Sequence, residues 1–247
     1  MATAAESVKQ SKGNGGQGAT VIFPADFQAA PAVGDQQVSL STKTNASEET
    51  GFDLEGALNR LRQAKRIVFL LGGGAEDSGL GVRAQKAVAR LCGHLGATAF
   101  AETFPSRSER GQGIPAFDRL PYFPEPARAV LDSSDLVVLA GALPPVTYFG
   151  YEGHPSELVK ADRLLVVGAP GRPVAGRLEQ LADAMGAPEY RVSVQELPDM
   201  PEGPLTPAKI GAVLSRELPE RAIVSVEGGT CLLYTSPSPR DLSTSRM

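Results

Sequence analysis

Short segments that are apolar at every position restrict the fold of this chain more than any other feature. They occupy residues 67–71, 136–140 and 164–167, and each is followed directly by glycine. A strand that is apolar throughout is typical of a parallel sheet covered on both faces. None of these runs approaches the ~20 apolar residues that a membrane-spanning helix needs. The sequence therefore predicts three buried strands.

Segments with helical periodicity separate these strands. Asp53 is a good N-cap for a helix whose apolar face is Leu54, Ala57, Leu58 and Leu61. Two further amphipathic helices are predicted over residues 80–95 and 174–185, with a short strand at 97–101 and a loop at 104–126. Strands that alternate with helices predict an α/β fold with a doubly wound parallel sheet, a Rossmann-like domain.

Changes in composition divide the chain into six parts. Thr206 and Pro207 suit the N-cap and first turn of another helix, and residues 222–226 are predicted to form a strand. The predicted parts are the end of a preceding domain (1–28), a linker (29–52), the central domain (53–187), a second linker (188–205), the truncated start of a further domain (206–230) and a tail (231–247). The tail resembles the translation of a sequencing adapter and is expected not to pack against the fold.

Composition narrows the function classes. A nucleic-acid-binding protein needs a basic surface stripe, and the formal net charge of −4 gives no sign of one. Two histidines and two cysteines, widely spaced, do not form a metal-ligand pattern. Residues 1–6 lack a signal-peptide pattern, which favours the cytoplasm. Organellar targeting stays open, because we expect the natural N-terminus to lie upstream of Met1.

Two places could contact a cofactor. Gly72, Gly73 and Gly74 join a buried strand to a helix, where backbone N–H groups could hold a diphosphate and where a Cβ at Gly73 would both block approach and penalise a positive φ. The spacing is not G-x-G-x-x-G, so a plain tight turn is equally consistent with the pattern. Glu227 follows the predicted strand 222–226, at a position where open α/β sheets bind ligands; a solvated loop residue is the alternative.

Several motifs together resemble thiamine-diphosphate enzymes of the acetolactate-synthase large-subunit type. Residues 19–26 (Ala-Thr-Val-Ile-Phe-Pro-Ala-Asp) are similar to the last strand of that family's pyrimidine-binding domain, and residues 66–75 to the start of its central domain. More particular matches are residues 104–124, 144–151 and 155–156. The segments 203–207 and 222–227 resemble the entry to the diphosphate-binding domain.

The resemblance implies thiamine diphosphate and Mg²⁺ in the complete protein. The thiazolium of this cofactor stabilises the carbanion left by decarboxylation of a 2-keto acid, which then attacks a second carbonyl compound. A homodimer or homotetramer is also implied, with no nucleic-acid or membrane partner. The chain contains no Gly-Asp-Gly metal motif, and the family's catalytic glutamate would precede residue 1. It is therefore expected to be an inactive fragment without catalytic or metal-binding residues.

Whether FAD is bound, and which reaction the complete protein catalyses, stay open at this point. Acetolactate synthases bind FAD in the central domain, but residues 111–115 and 141–148 depart from the flavin-contacting motifs. These departures fit equally a 2-keto-acid decarboxylase of the benzoylformate-decarboxylase type, and a stand-alone nucleotide- or flavin-binding module is a third alternative. The resemblance carries over Glu227, Gly228 and Thr230 as cofactor contacts. Gly72, Gly73 and Gly74 are candidate contacts because of their position between a strand and a helix.

Overall fold

A computed structural model of the protein describes residues 51–74, 76–191 and 197–225. The predicted strand at 19–26, the first linker up to residue 50, the tail, and Glu227, Gly228 and Thr230 lie outside the described residues. No helix in these ranges is both long and apolar enough to cross a membrane.

Four parallel strands and five α-helices form the described part of the chain. The helices are α1 (Leu54–Gln63), α2 (Val82–Leu95), α3 (Pro124–Leu131), α4 (Ala175–Ala184) and α5 (Pro207–Glu217). The strands are β1 (Ile67–Leu71), β2 (Thr98–Ala101), β3 (Leu136–Ala140) and β4 (Leu164–Gly168). In the sheet their order is β2-β1-β3-β4. The predicted α/β fold with a parallel sheet is confirmed.

Both faces of the sheet are covered, which explains the uninterrupted apolar runs. In β1, Ile67, Phe69 and Leu71 pack with the buried residues of α1, α2 and α4. The alternate residues Val68 and Leu70 pack on the opposite face with buried residues of α3 and of the connection between β3 and β4. Successive side chains of a strand point to opposite faces, so each position of β1 enters one of two cores. The sheet is therefore doubly wound, as predicted.

The helix boundaries follow the capping signals in the sequence. Asp53 Oδ1 accepts a hydrogen bond from the Gly56 N–H at 2.9 Å, so it caps α1. Helix α2 ends at Gly96, whose φ of 62° is the left-handed conformation that glycine adopts at low cost. The Thr206 hydroxyl accepts from the Lys209 N–H at 3.3 Å at the start of α5. The starts of α1 and α5 and the end of α2 therefore lie where these residues predicted them.

Three local predictions were wrong. Residues 124–126 belong to α3 rather than to a loop, because Pro124 starts the helix and Ala127 and Leu131 are buried one turn apart. Strand β4 is an edge strand, and Val166 is 55% exposed instead of buried. Residues 222–225 do not form a strand; Ile223 is 97% exposed, because no described strand pairs with this segment.

Candidate functional site

The strand order places a switch point between β1 and β3. From β1 the chain continues to β2 on one side, and from β3 it continues to β4 on the other. Ligands of open α/β sheets bind in the crevice at the carboxyl ends of the strands at such a point. Gly72, Gly73 and Gly74 follow β1, and Gly141 follows β3. The predicted glycine turn therefore lies at the expected edge of the sheet.

The floor of this crevice is closed by direct backbone contact. The Gly72 N–H donates to the Ala140 carbonyl at 3.0 Å, and the Gly72 carbonyl accepts from the Leu80 N–H at 3.0 Å. A Cβ on Gly72 would lie 2.0 Å from the Gly141 oxygen. Glycine at residue 72 thus allows the ends of β1 and β3 to approach each other, which is a packing role.

Gly73 is buried under the loop that follows β2. Its N–H donates to Glu102 Oε1 at 2.7 Å. A Cβ on Gly73 would lie 2.3 Å from the Arg107 carbonyl oxygen, so this position is filled by protein backbone. The expected positive φ is found at Gly74, at 129°, and not at Gly73. The turn is consequently not exposed at its middle residue.

A second carboxylate from the same loop reaches the N-terminus of α2. Glu109 Oε2 accepts from the Val82 N–H at 2.8 Å, and its other oxygen pairs with the Arg107 guanidinium at 3.0 Å. The first N–H groups of a helix have no partner within the helix and attract anions. Glu109 therefore occupies a donor that a phosphate would use in a nucleotide-binding domain.

Buried Gln85 of α2 holds the loop in this position. Its side-chain amide donates to the Leu80 carbonyl at 2.8 Å and to the Glu109 carbonyl at 2.7 Å. The Glu109 N–H in turn donates to the Leu80 carbonyl at 3.0 Å. A polar side chain that is 2% exposed needs such partners to offset its desolvation. Residues 102–110, which we call the closing loop, are thus tied to the turn and to α2.

Glu102 has an altered acidity in this environment. Burial raises the pKa of its carboxyl above the ordinary value, and the hydrogen bond from the Gly73 N–H offsets part of this rise. Its side chain is directed at the backbone N–H of Gly73.

No group of three or more His, Cys, Asp or Glu residues within the described ranges could hold a metal. The described residues therefore do not fit Mg²⁺.

Sequence reasoning located the turn but missed its partners. Glu102, Gln85 and Glu109 were not predicted as contacts of the turn or of α2. Glu102 and Glu109 follow their backbone donors by 29 and 27 residues, and no local pattern indicates that the loop folds back. The role of Gly72, Gly73 and Gly74 in cofactor binding stays a prediction, as does that of Glu227, Gly228 and Thr230 outside the described residues.

An exposed aromatic cluster lies beyond the turn. The rings of Tyr122 and Tyr148 are stacked with centroids 5.4 Å apart, and Phe104 meets both edge-on. Phe123, Phe149 and Tyr151 extend the cluster. These residues come from the segments 104–124 and 144–151 that resemble acetolactate-synthase large subunits. Two segments that are separate in sequence thus form one surface.

A shallow pocket of about 270 Å³ lies at the exposed edge of β4. It is lined by residues 51–53 and 166–169 and by Arg177, whose guanidinium lies 5.4 Å from the centre of the Phe52 ring. This pocket is on the opposite side of β3 from the glycine turn that follows β1.

A parallel, doubly wound sheet with glycine turns at its switch point defines a Rossmann-like domain. No family model matches the chain. The chain is 38% identical over 233 residues to the "Putative acetolactate synthase large subunit IlvX" of Mycobacterium tuberculosis, a match that covers 92% of this chain and 43% of that protein. The chain thus spans less than half of this relative's length. In sequence, it belongs with the thiamine-diphosphate-dependent enzymes, among proteins similar to acetolactate synthase large subunits.

A solved structure shares the fold of this chain. A "putative thiamin diphosphate-dependent enzyme" from Mycobacterium smegmatis superposes with a TM-score of 0.51 at 24% identity, over 85% of this chain and 44% of that one. The thiamine diphosphate-dependent 4-hydroxybenzoylformate decarboxylase of Rhodococcus jostii RHA1 has a TM-score of 0.47 at 23% identity, over 81% and 38% of the two chains. The likeness to the M. smegmatis protein shows a shared fold.

Proposed function

We propose that this chain supplies the central domain of a thiamine-diphosphate-dependent enzyme of the acetolactate-synthase large-subunit type. The observation that carries the proposal is the 38% identity over 92% of the chain. The contiguous aromatic cluster supports it, since the segments that resemble this branch also meet in space. In the complete protein, the activity is decarboxylation of a 2-keto acid followed by carboligation.

The proposed role of the domain is structural rather than chemical. The polar side chains at its switch point, Gln85, Glu102 and Glu109, are all bonded to backbone groups of the domain itself. Bound thiamine diphosphate would supply the carbanion-stabilising thiazolium. No described residue provides a group for that chemistry, and the Gly-Asp-Gly motif that holds the metal in the family is not in the sequence.

We expect the purified chain to consume no pyruvate in the presence of thiamine diphosphate and Mg²⁺. The reason is the lack of a metal motif and of a described carboxylate cluster that could take its place. Acetolactate and CO₂ are measured against a protein-free control. Formation of either product above that control would contradict the proposed structural role.

The same assay with benzoylformate separates the chain from the decarboxylase alternative. We expect no benzaldehyde from the chain alone. Benzaldehyde from benzoylformate, with no acetolactate from pyruvate, would replace the carboligase proposal by the decarboxylase type, and would also show that the chain contains a catalytic group.

A further inference from the structure

The glycine turn at the switch point lies where a diphosphate would bind, but its N–H donors already have partners within the domain. A dinucleotide bound there would accept hydrogen bonds from N–H groups of the turn and of the first turn of α2. In this protein the Gly72 N–H donates to Ala140, the Gly73 N–H to Glu102 and the Val82 N–H to Glu109. Three donors of this region are therefore already bonded within the domain.

The space above the turn is also filled. The position of a Cβ on Gly73 lies 2.3 Å from the Arg107 oxygen and 2.9 Å from the Arg107 nitrogen. A Cβ on Gly74 would have the Gly171 Cα at 3.5 Å and Ser106 Oγ at 3.8 Å. A diphosphate needs this space to reach the backbone. At Gly73 the closing loop occupies this space with main-chain atoms of Arg107, whereas the neighbours of Gly74 lie at ordinary contact distances.

We propose that the closing loop makes this turn inaccessible to the diphosphate of FAD or of any other dinucleotide, with the carboxyl groups of Glu102 and Glu109 as internal acceptors in place of phosphate oxygens. Each carboxylate accepts from the kind of donor that a phosphate oxygen would use. An ionised carboxylate at either position would also repel a diphosphate. The positive charge of Arg107 does not attract a diphosphate in full, because its guanidinium is paired with Glu109 at 3.0 Å.

The anchoring of the loop supports a permanent rather than a transient closure. Gln85, which is 2% exposed, donates to the backbone of both Leu80 and Glu109, and the Glu109 N–H returns a bond to Leu80. Opening the loop would leave these buried groups without partners. Flavin binding at this turn therefore does not fit the residues present, in contrast to what a resemblance to acetolactate synthase implies. This inference stands independently of the proposed function.

Amide signals of the chain in nuclear magnetic resonance test the proposal at the two donors themselves. In the wild-type chain we expect slow hydrogen exchange at the Gly73 and Val82 amides, and no shift of either signal on addition of millimolar ADP or FAD. Glu109→Ala should accelerate exchange at Val82 by about tenfold or more and leave Gly73 less affected. Glu102→Ala should have the converse effect.

Fast exchange of both amides in the wild-type chain would overturn the proposal, and so would a saturable shift of both signals with ADP. If Glu109→Ala does not fold, Glu109→Gln keeps an acceptor of the same size, and Val82 should then stay protected. ADP binding that shifts other signals but leaves these two unchanged would place a nucleotide elsewhere and leave the closed turn in place. Pyruvate turnover is not part of this test, so its outcome is separate from that of the proposed function.

Discussion

Gly72→Ala is expected to lower the free energy of unfolding by about 3 kcal/mol or more, near the upper end of the cost of overpacking. The new Cβ would lie 2.0 Å from the Gly141 oxygen and 2.7 Å from the Ala142 nitrogen. Both atoms belong to the backbone beside β3. They cannot withdraw without stretching the hydrogen bond from the Gly72 N–H to Ala140.

Gly93→Ala is the matched control, because the same chemical change there should have the opposite sign. Gly93 lies inside α2, and a Cβ on it would meet no atom within 4 Å. Alanine is favoured over glycine in a helix interior by about 1 kcal/mol. Urea denaturation of the two variants and the wild type measures both effects. A Gly72→Ala variant as stable as the wild type would contradict the close approach of β1 and β3.

Gln85→Glu is expected to destabilise the protein by about 2–4 kcal/mol at neutral pH, the scale of a buried polar group that loses its partners. The substitution is nearly isosteric but replaces the NH₂ donor by an oxygen that faces the carbonyls of Leu80 and Glu109. Desolvation would raise the pKa of the introduced carboxyl in the folded state. The destabilisation should therefore be small below about pH 4 and grow as the pH rises through the raised pKa.

The closing loop gives this prediction a second readout. If Gln85 holds the loop, the variant should be cleaved faster by trypsin after Arg107 and Arg110, which lie within it. Gln180→Glu is the control, since Gln180 is exposed on α4 and its substitution should change neither stability nor cleavage by much. Equal cleavage rates in the wild type and Gln85→Glu would show that Gln85 does not anchor the loop.

Most of the sheet could be predicted from the sequence because its strands are apolar on both faces. The runs at β1 and β3 have no other stable environment than a doubly covered sheet, and both of their alternating faces are indeed buried. The same reasoning failed at β4. There the composition is equally apolar, but the strand lies at the edge of the described sheet and Val166 is exposed. Position in a sheet depends on the order of strands, which composition does not encode.

The short helix α3 escaped prediction for a related reason. Its residues Pro124, Glu125 and Pro126 continue a proline-rich segment, and only Pro124, Ala127 and Leu131 form its buried side. Proline stabilises the first turn of a helix as readily as it marks a loop. Three buried residues at one-turn spacing, one of them a proline, are too few to separate these alternatives without the tertiary contacts.

The glycine turn could be predicted from the sequence, but whether it is open to a ligand could not. A glycine turn between a strand and a helix is visible in the sequence, but its place at the switch point follows from the strand order in the structure. Whether the turn accepts a ligand depends on Glu102 and Glu109, which reach it through a loop without regular structure. Carboxylates in such a loop resemble ordinary surface residues until the path of the chain is known.

The sequence of the natural gene around codon 230 tests the central claim most directly. If the chain supplies the central domain of a thiamine-diphosphate enzyme, the reading frame should continue into a Gly-Asp-Gly motif and a distal asparagine. The complete protein should then form acetolactate from pyruvate when supplied with thiamine diphosphate and Mg²⁺. A stop codon directly after codon 230 in the natural gene would contradict the enzyme account and support a stand-alone module.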